Sequence, residues 1–195
     1  MANARAAPRL VLASASPRRL ELLRQIGIEP AAVAPAAIEE RALPRELPRA
    51  HALRLAEAKA RAVACGHPDA YVLGADTVVA RGRRILPKAL DEATARRCLT
   101  LLSGRRHRVL GGLCVIAPGG RHACRLVTST VAFRRLQPDD VDAYIAAGEW
   151  HDKAGGYAIQ GRAAAFVRHL SGSYTNVVGL PLFEAAALLR GLGYR

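Results

Sequence analysis

Strand-like and helix-like runs alternate along this chain, and that alternation constrains the fold more than any other feature. Leu10 to Ala13 is a short apolar strand, and Ser14-Ala15-Ser16 is a turn of small residues. Pro17 suits the first helical position after a Ser N-cap. Leu20, Leu22, Leu23 and Ile26 then support a helix that Gly27 ends. Ala31 to Ala34 is a candidate second strand, followed by a Pro-rich loop to Pro48 that carries Glu39 and Glu40. Leu53, Ala56, Ala60 and Val63 recur at three and four residues, which predicts a helix over 48–64 that Gly66 and Pro68 close. Tyr71 to Ala80 is a β-rich run with one acid inside it, and Arg81 to Leu86 suggests a tight hairpin.

The second half continues the alternation. Asp91 caps a helix to Leu102, and strands over 109–117 and 126–133 flank the turn Pro118-Gly119-Gly120. A helix over 138–147 ends at Gly148. Ala164 to Leu170 reads as a strand and Pro181 to Leu189 as a last helix. The class is α/β. No internal repeat, low-complexity tract or linker divides the 195 residues, so one domain over 1–195 is expected.

Charge and cysteine content narrow the function classes. The net charge is +13, yet the arginines are spread along the whole chain and aromatic residues make up 5%, which leaves little surface for stacking bases. A nucleic-acid partner is therefore not expected; an anionic small substrate is. No run of about 18 uncharged apolar residues is available to span a membrane, and the apolar run at Leu10 is too short for a signal peptide. The chain is expected in the cytoplasm. The four cysteines form no C-x-x-C pair, and in that compartment they are expected as free thiols. The histidines show no zinc-ligand spacing.

Of the 29 basic residues only Lys59, Lys88 and Lys153 are lysine. A lysine kept in an arginine-rich chain marks a place where a compact point charge is needed and a planar guanidinium does not fit. The alternative for each is an ordinary surface lysine with its stem on apolar neighbours.

Five segments have residue types suited to chemistry. In Ser14 to Arg19, a small-residue turn and the positive end of a helix invite an anion. Ser14 and Ser16 add hydroxyl donors there, and Arg18 and Arg19 can clamp a phosphate. The alternative is an ordinary capped helix. Asp76, in an apolar strand run beside Gly74 and Ala75, needs a partner, a metal or a strand-end position. Glu40, if it meets Asp76 in space, would complete an oxygen-ligand pair for Mg²⁺ with substrate phosphates and water. The three lysines would contact phosphate. In Asp152 to Gly161, glycine density suggests backbone close to a ligand, and Gln160 can both donate to and accept from a base edge.

Taken together these stretches resemble the Maf family of nucleotide pyrophosphatases. The resemblance rests on Leu12 to Leu23 (LASASPRRLELL), Ile38-Glu-Glu40, Arg54 to Ala60 (RLAEAKA), Val72 to Val79 (VLGADTVV), Leu102-Ser-Gly104, Asp152 to Gly161 (DKAGGYAIQG) and Gly172 to Pro181 (GSYTNVVGLP), in that order over nearly the whole chain. It implies a mixed, twisted sheet with flanking helices and two lobes around a central cleft. It implies cleavage of the α–β phosphoanhydride of a nucleoside triphosphate with a divalent cation, Mg²⁺ or Mn²⁺. Asp76 matches the proton acceptor, and Glu40, Lys59 and Lys88 match other charged active-site positions, with Glu40 and Asp76 as metal ligands. Ser14 and Arg19 match the phosphate-contacting turn. Arg18, Thr77 and Gln160 match the subgroup acting on dTTP and UTP; the subgroup acting on 7-methyl-GTP has Trp, Gln and Glu there. The resemblance also allows a homodimer, or a nucleotide-sensing role in septum formation. One departure is local: the family's Gly-Lys-Pro is replaced by Leu86-Pro-Lys-Ala89.

Overall fold

A computed structural model describes residues 8–195. A seven-stranded mixed sheet runs in the order β2 (Ala32–Val33), β1 (Leu10–Ala13), β3 (Tyr71–Arg81), β6 (Arg106–Ile116), β7 (His122–Phe133) and β9 (Val167–Ser171), with β4 (Arg84–Leu86) also pairing β3. β1 is parallel to β2 and β3, and the remaining pairs are antiparallel. β5 (Lys88–Ala89) and β8 (Lys153–Ala154) form a separate two-stranded piece.

The long strand β3 positions the site. On one edge β1 pairs with Tyr71 to Gly74, and β4 pairs with Val79 to Arg81. Between these two partners Ala75 to Val78 has no strand neighbour on that edge, while β6 covers the other edge throughout. The gap is the floor of a cleft between two lobes.

The alternating side chains of β3 assign a core to each part. Leu73 and Ala75 join Leu10, Leu12, Leu22, Leu23, Leu113 and Leu188 in the first lobe, under α1 (Pro17–Gln25) and α6 (Leu182–Gly191). Val79, on the same face, joins the second lobe with Leu99, Val109, Phe133 and Tyr144, built on α3 (Glu92–Leu102) and α4 (Pro138–Ala146). The opposite face is covered by α2 (Pro48–Ala64), whose backbone lies very close to the sheet. A Cβ at Gly74 would stand 2.3 Å from the Ala56 carbonyl oxygen, and one at Gly112 would stand 2.0 Å from that of Ala52. Only glycine lets the helix approach so far. The buried stripe of α2 is Ala52, Leu55, Ala56, Lys59, Ala60 and Val63, rotated from the stripe read through Leu53.

Several sequence expectations are corrected. The segment 162–166 is a 3-10 turn, and the strand after it begins at Val167. The last helix starts at Leu182 with Pro181 as its N-cap, and a short helix α5 (Tyr174–Val178), capped by Ser173, precedes it. Cys114 and Cys124 are not free: they stand directly opposite each other on β6 and β7 and are joined as a disulfide. Cys65 and Cys98 are thiols. Asp91 caps α3 as expected, accepting the Thr94 N–H at 2.7 Å. Among the described residues no helix is long and apolar enough to cross a membrane.

Candidate active site

Asp76 and Thr77 occupy the unpaired stretch of β3, and strand alternation sends them to opposite faces. Across the ladder they face Gly112 and Gly111, respectively. Asp76 therefore points toward α2, where Lys59 lies on the buried stripe. Thr77 points the other way, toward α1 and the segment after α5. Gly111 leaves room there for Asn176, whose Oδ1 would lie 1.9 Å from a Cβ at that position.

On the α2 side, one ammonium joins two carboxylates. Lys59 Nζ is 2.7 Å from Asp76 Oδ1 and 2.5 Å from Glu40 Oε1. Lys59 and Asp76 are buried, at 6% relative exposure each, and the loop that follows β2 brings Glu40 over them. The second oxygen of Glu40 accepts from Lys88 Nζ at 3.0 Å, and Lys88 also lies 3.9 Å from Asp152. Burial pushes the Glu40 carboxyl up, but hydrogen bonds from Lys59 and Lys88 and their charges outweigh it and hold it at about 2. Lys88 lies on β5, paired antiparallel to β8, so Lys88 stands opposite Ala154 and Lys153 opposite Ala89.

On the Thr77 side, Arg19 is the organiser. It is buried, and its guanidinium donates to Ser14 Oγ (2.8 Å), the Gly179 carbonyl (2.9 Å) and Thr77 Oγ1 (3.2 Å). Thr77 in turn donates to the same Gly179 carbonyl at 3.3 Å. Arg18 is half-buried, spends its Nε on the Val178 carbonyl at 3.4 Å and lines the cavity. Burial lowers Arg18, Arg19 and Lys153 from their ordinary values, and the charge of Arg18 adds to the effect on Arg19 and Lys153. A bound anion would oppose that mutual repulsion.

A cavity of about 630 Å³ lies between the two sides. It is lined by all eleven residues expected from the sequence: Ser14, Ser16, Arg18, Arg19, Glu40, Lys59, Asp76, Thr77, Lys88, Lys153 and Gln160. Ser16 is the N-cap of α1 by backbone but makes no side-chain cap bond, and its N–H donates to Ser14 Oγ at 3.2 Å. Lys153 donates to the His151 carbonyl at 2.8 Å. Sequence reasoning missed Glu149 and Tyr157, which also line the wall. The glycines of 155–161 also have a packing role that the sequence does not show. Gly155 and Gly156 have φ of +69°, and their Cα atoms pack against Val79 and Ala95 of the second lobe; Gly161 packs against Glu149. These close approaches are to protein atoms.

Among the described residues no three His, Cys, Asp or Glu side chains gather as a self-sufficient metal cage. The donor set of Glu40 and Asp76 still fits a hard divalent ion that takes one or two carboxylates and completes its shell with phosphate oxygens and water. Asp76 spends Oδ1 on Lys59, and Oδ2 remains for the cavity.

A mixed α/β scaffold with a cation-rich, carboxylate-bearing cleft at the carboxyl end of β1 defines a protein that binds a phosphorylated small molecule. The Maf-like protein family matches residues 9–192, and the chain belongs to that family. It is 66% identical over 185 residues to a dTTP/UTP pyrophosphatase of Paramagnetospirillum magneticum, covering 95% of this chain and 97% of that protein. It is 60% identical over 190 residues to one of Caulobacter vibrioides, covering 97% and 98%. The structure of the Staphylococcus aureus Ham1 protein aligns over 94% of this chain and 98% of its own, with a TM-score of 0.51 and 13% identity, a likeness of fold alone.

Proposed function

We propose that this protein hydrolyses the pyrimidine nucleoside triphosphates dTTP and UTP to the monophosphate and pyrophosphate, with a divalent cation, Mg²⁺ or Mn²⁺. One observation carries the reading: Glu40, Lys59 and Asp76 are in direct contact on the wall of the same cavity that Arg18, Arg19 and Lys88 line. The names of the relatives support the substrate class.

The triphosphate lies along the cationic side, where Lys59, Lys88 and Arg18 offset its charge and the N-terminus of α1 adds its partial positive charge. Glu40 and Asp76 would hold the cation, which supplies phosphate neutralisation and a more acidic bound water. Asp76 Oδ2 orients a water toward the α phosphorus and accepts its proton as the new P–O bond forms. The bond from that phosphorus to the bridging oxygen breaks, and pyrophosphate leaves. Lys59 bridges Asp76 and Glu40 and holds the two carboxylates at a fixed separation. Arg19 holds Ser14, Thr77 and Gly179 as one rigid unit beside the phosphates.

Base choice falls to Gln160 with Thr77 and Arg18. The Gln160 amide can donate to one carbonyl of uracil or thymine and accept from the adjacent N–H. A site built for that pattern rejects a base that cannot supply it. The 7-methyl-GTP reading is opposed at all three positions. A panel of nucleoside triphosphates with and without Mg²⁺, with products resolved, tests the proposal. Pyrophosphate and monophosphate from dTTP and UTP are expected; release of single phosphates, or no turnover, would contradict it.

A further inference from the structure

Glu149 lies in the turn after α4, and its half-buried carboxylate touches the far wall of the cavity. Oε2 accepts the backbone N–H of Arg162 at 2.8 Å, and Oε1 is 3.8 Å from the Arg162 guanidinium. The same carboxylate lies over Gly161: a Cβ there would stand 2.0 Å from Oε2 and 2.8 Å from Cδ. Gly161 has φ −106° and ψ −150°, extended backbone that any residue adopts. No special conformation calls for glycine here, and a Cβ at Gly161 would push the Glu149 carboxylate, the far end of a flexible side chain, away from its place beside the Arg162 N–H.

The contact bears on the residue just before it. Gly161 donates its N–H to the Ala158 carbonyl at 3.1 Å, and Arg162 donates to Glu149. Gln160 is thus followed by two anchored peptide units and presents an exposed side chain on the cavity wall. A carboxylate on the wall of a polyanion site opposes phosphate binding through like-charge repulsion, so Glu149 is unfavourable there unless it serves a different task. The geometry supplies that task.

We infer that Glu149 is a positioning residue for base selection: it fixes the backbone at Gly161 and Arg162 so that the Gln160 amide meets the pyrimidine edge in one orientation. The inference rests on the proposed pyrimidine activity. It predicts that Glu149 and Gly161 act as one unit, the first by its hydrogen bond and the second by its missing Cβ.

The test measures kcat/KM for UTP and CTP in wild type, Glu149→Ala, Glu149→Gln, Gly161→Ala and the Glu149→Ala/Gly161→Ala double variant, with thermal melting alongside. CTP carries an amino group where UTP has a carbonyl, so the ratio of the two reads the Gln160 contact. Glu149→Ala and Gly161→Ala should each lower the UTP:CTP ratio about tenfold, the scale of one net hydrogen bond. Glu149→Gln, which keeps an oxygen acceptor for Arg162, should stay near wild type. The double variant should be no worse than the single ones, because the collision partner of the new Cβ is gone. Equal losses for both nucleotides, or losses that multiply in the double variant, would overturn the inference. If Glu149→Ala does not fold, the contrast between Glu149→Gln and Gly161→Ala decides it by the same criterion. A wild type that discriminates, with a Glu149→Ala variant that discriminates as well, would end this inference alone. A wild type that treats UTP and CTP alike would end the base-reading role of Gln160 and this inference with it.

Discussion

Asp76 and Thr77 are adjacent in sequence yet serve opposite faces of the sheet: Asp76 meets Lys59 at 2.7 Å beneath α2, and Thr77 meets Arg19 at 3.2 Å beside α1. The two halves of the site are joined through a single peptide unit at the one stretch of β3 that lacks a strand neighbour on one edge. A change at either residue should therefore be felt on its own side first.

Thr77→Val tests the Arg19 side. It keeps the shape but removes the donor to the Gly179 carbonyl and the acceptor for Arg19. Gly179 keeps its bond from Arg19 Nε, and a loss of about 1–3 kcal/mol in unfolding free energy is expected, the range for two hydrogen bonds. Urea denaturation checks this. KM for nucleotide should rise more than kcat falls, because the proton-accepting side is untouched.

Gly112→Ala tests the approach of α2. The new Cβ would meet backbone at 2.0 Å, which no side-chain rotation relieves. A cost of about 1–3 kcal/mol is expected from overpacking. Activity should fall too, since α2 carries Lys59 and Gly112 is the ladder partner of Asp76. Gly191, with nothing within 4 Å of its would-be Cβ, is the control: Gly191→Ala should leave melting unchanged or slightly raised.

The Glu40 carboxyl gives a pH signature. Its value in the folded protein is lowered from the ordinary 4.5 to about 2. Stability from this group is thus fully present above pH 4.5 and is lost as pH falls toward 2. Glu46 and Asp140, also held at about 2, contribute to the same acid limb, so the informative quantity is a difference. Between pH 4.5 and 2, wild type should lose more unfolding free energy than Glu40→Gln. Parallel curves for the two proteins would show that Lys59 and Lys88 do not hold the carboxylate in the folded state.

Much of this arrangement is legible in the chain because local signals and the fold agree. Pro48 at the start of α2 and the Gly66 and Pro68 region beyond it mark a helix whose observed bounds are Pro48–Ala64, as expected. The lone acid in an apolar strand required a partner, and Lys59 is that partner. The scarce lysines all reach the cavity. What was not legible depends on distant contacts. The two-residue strands β5 and β8 have no periodicity to read and exist only because the segments around Lys88 and Lys153 meet. Glu149 resembles any surface acid until Gly161 is seen packed on it. The Cys114–Cys124 pair follows from the register of β6 on β7, which no spacing of two cysteines specifies.

Asp76→Asn tests the central claim most directly, because the substitution keeps size and removes the charge that would accept the proton. Glu40 remains beside Lys59, so the ammonium is not left alone and the fold should persist by thermal melting. Binding of a non-hydrolysable UTP analogue should be retained, while pyrophosphate release from UTP with Mg²⁺ should drop by a factor of about 10² to 10⁴, the span of a lost general base. Turnover within a few-fold of wild type in a folded, nucleotide-binding Asp76→Asn protein would contradict the account.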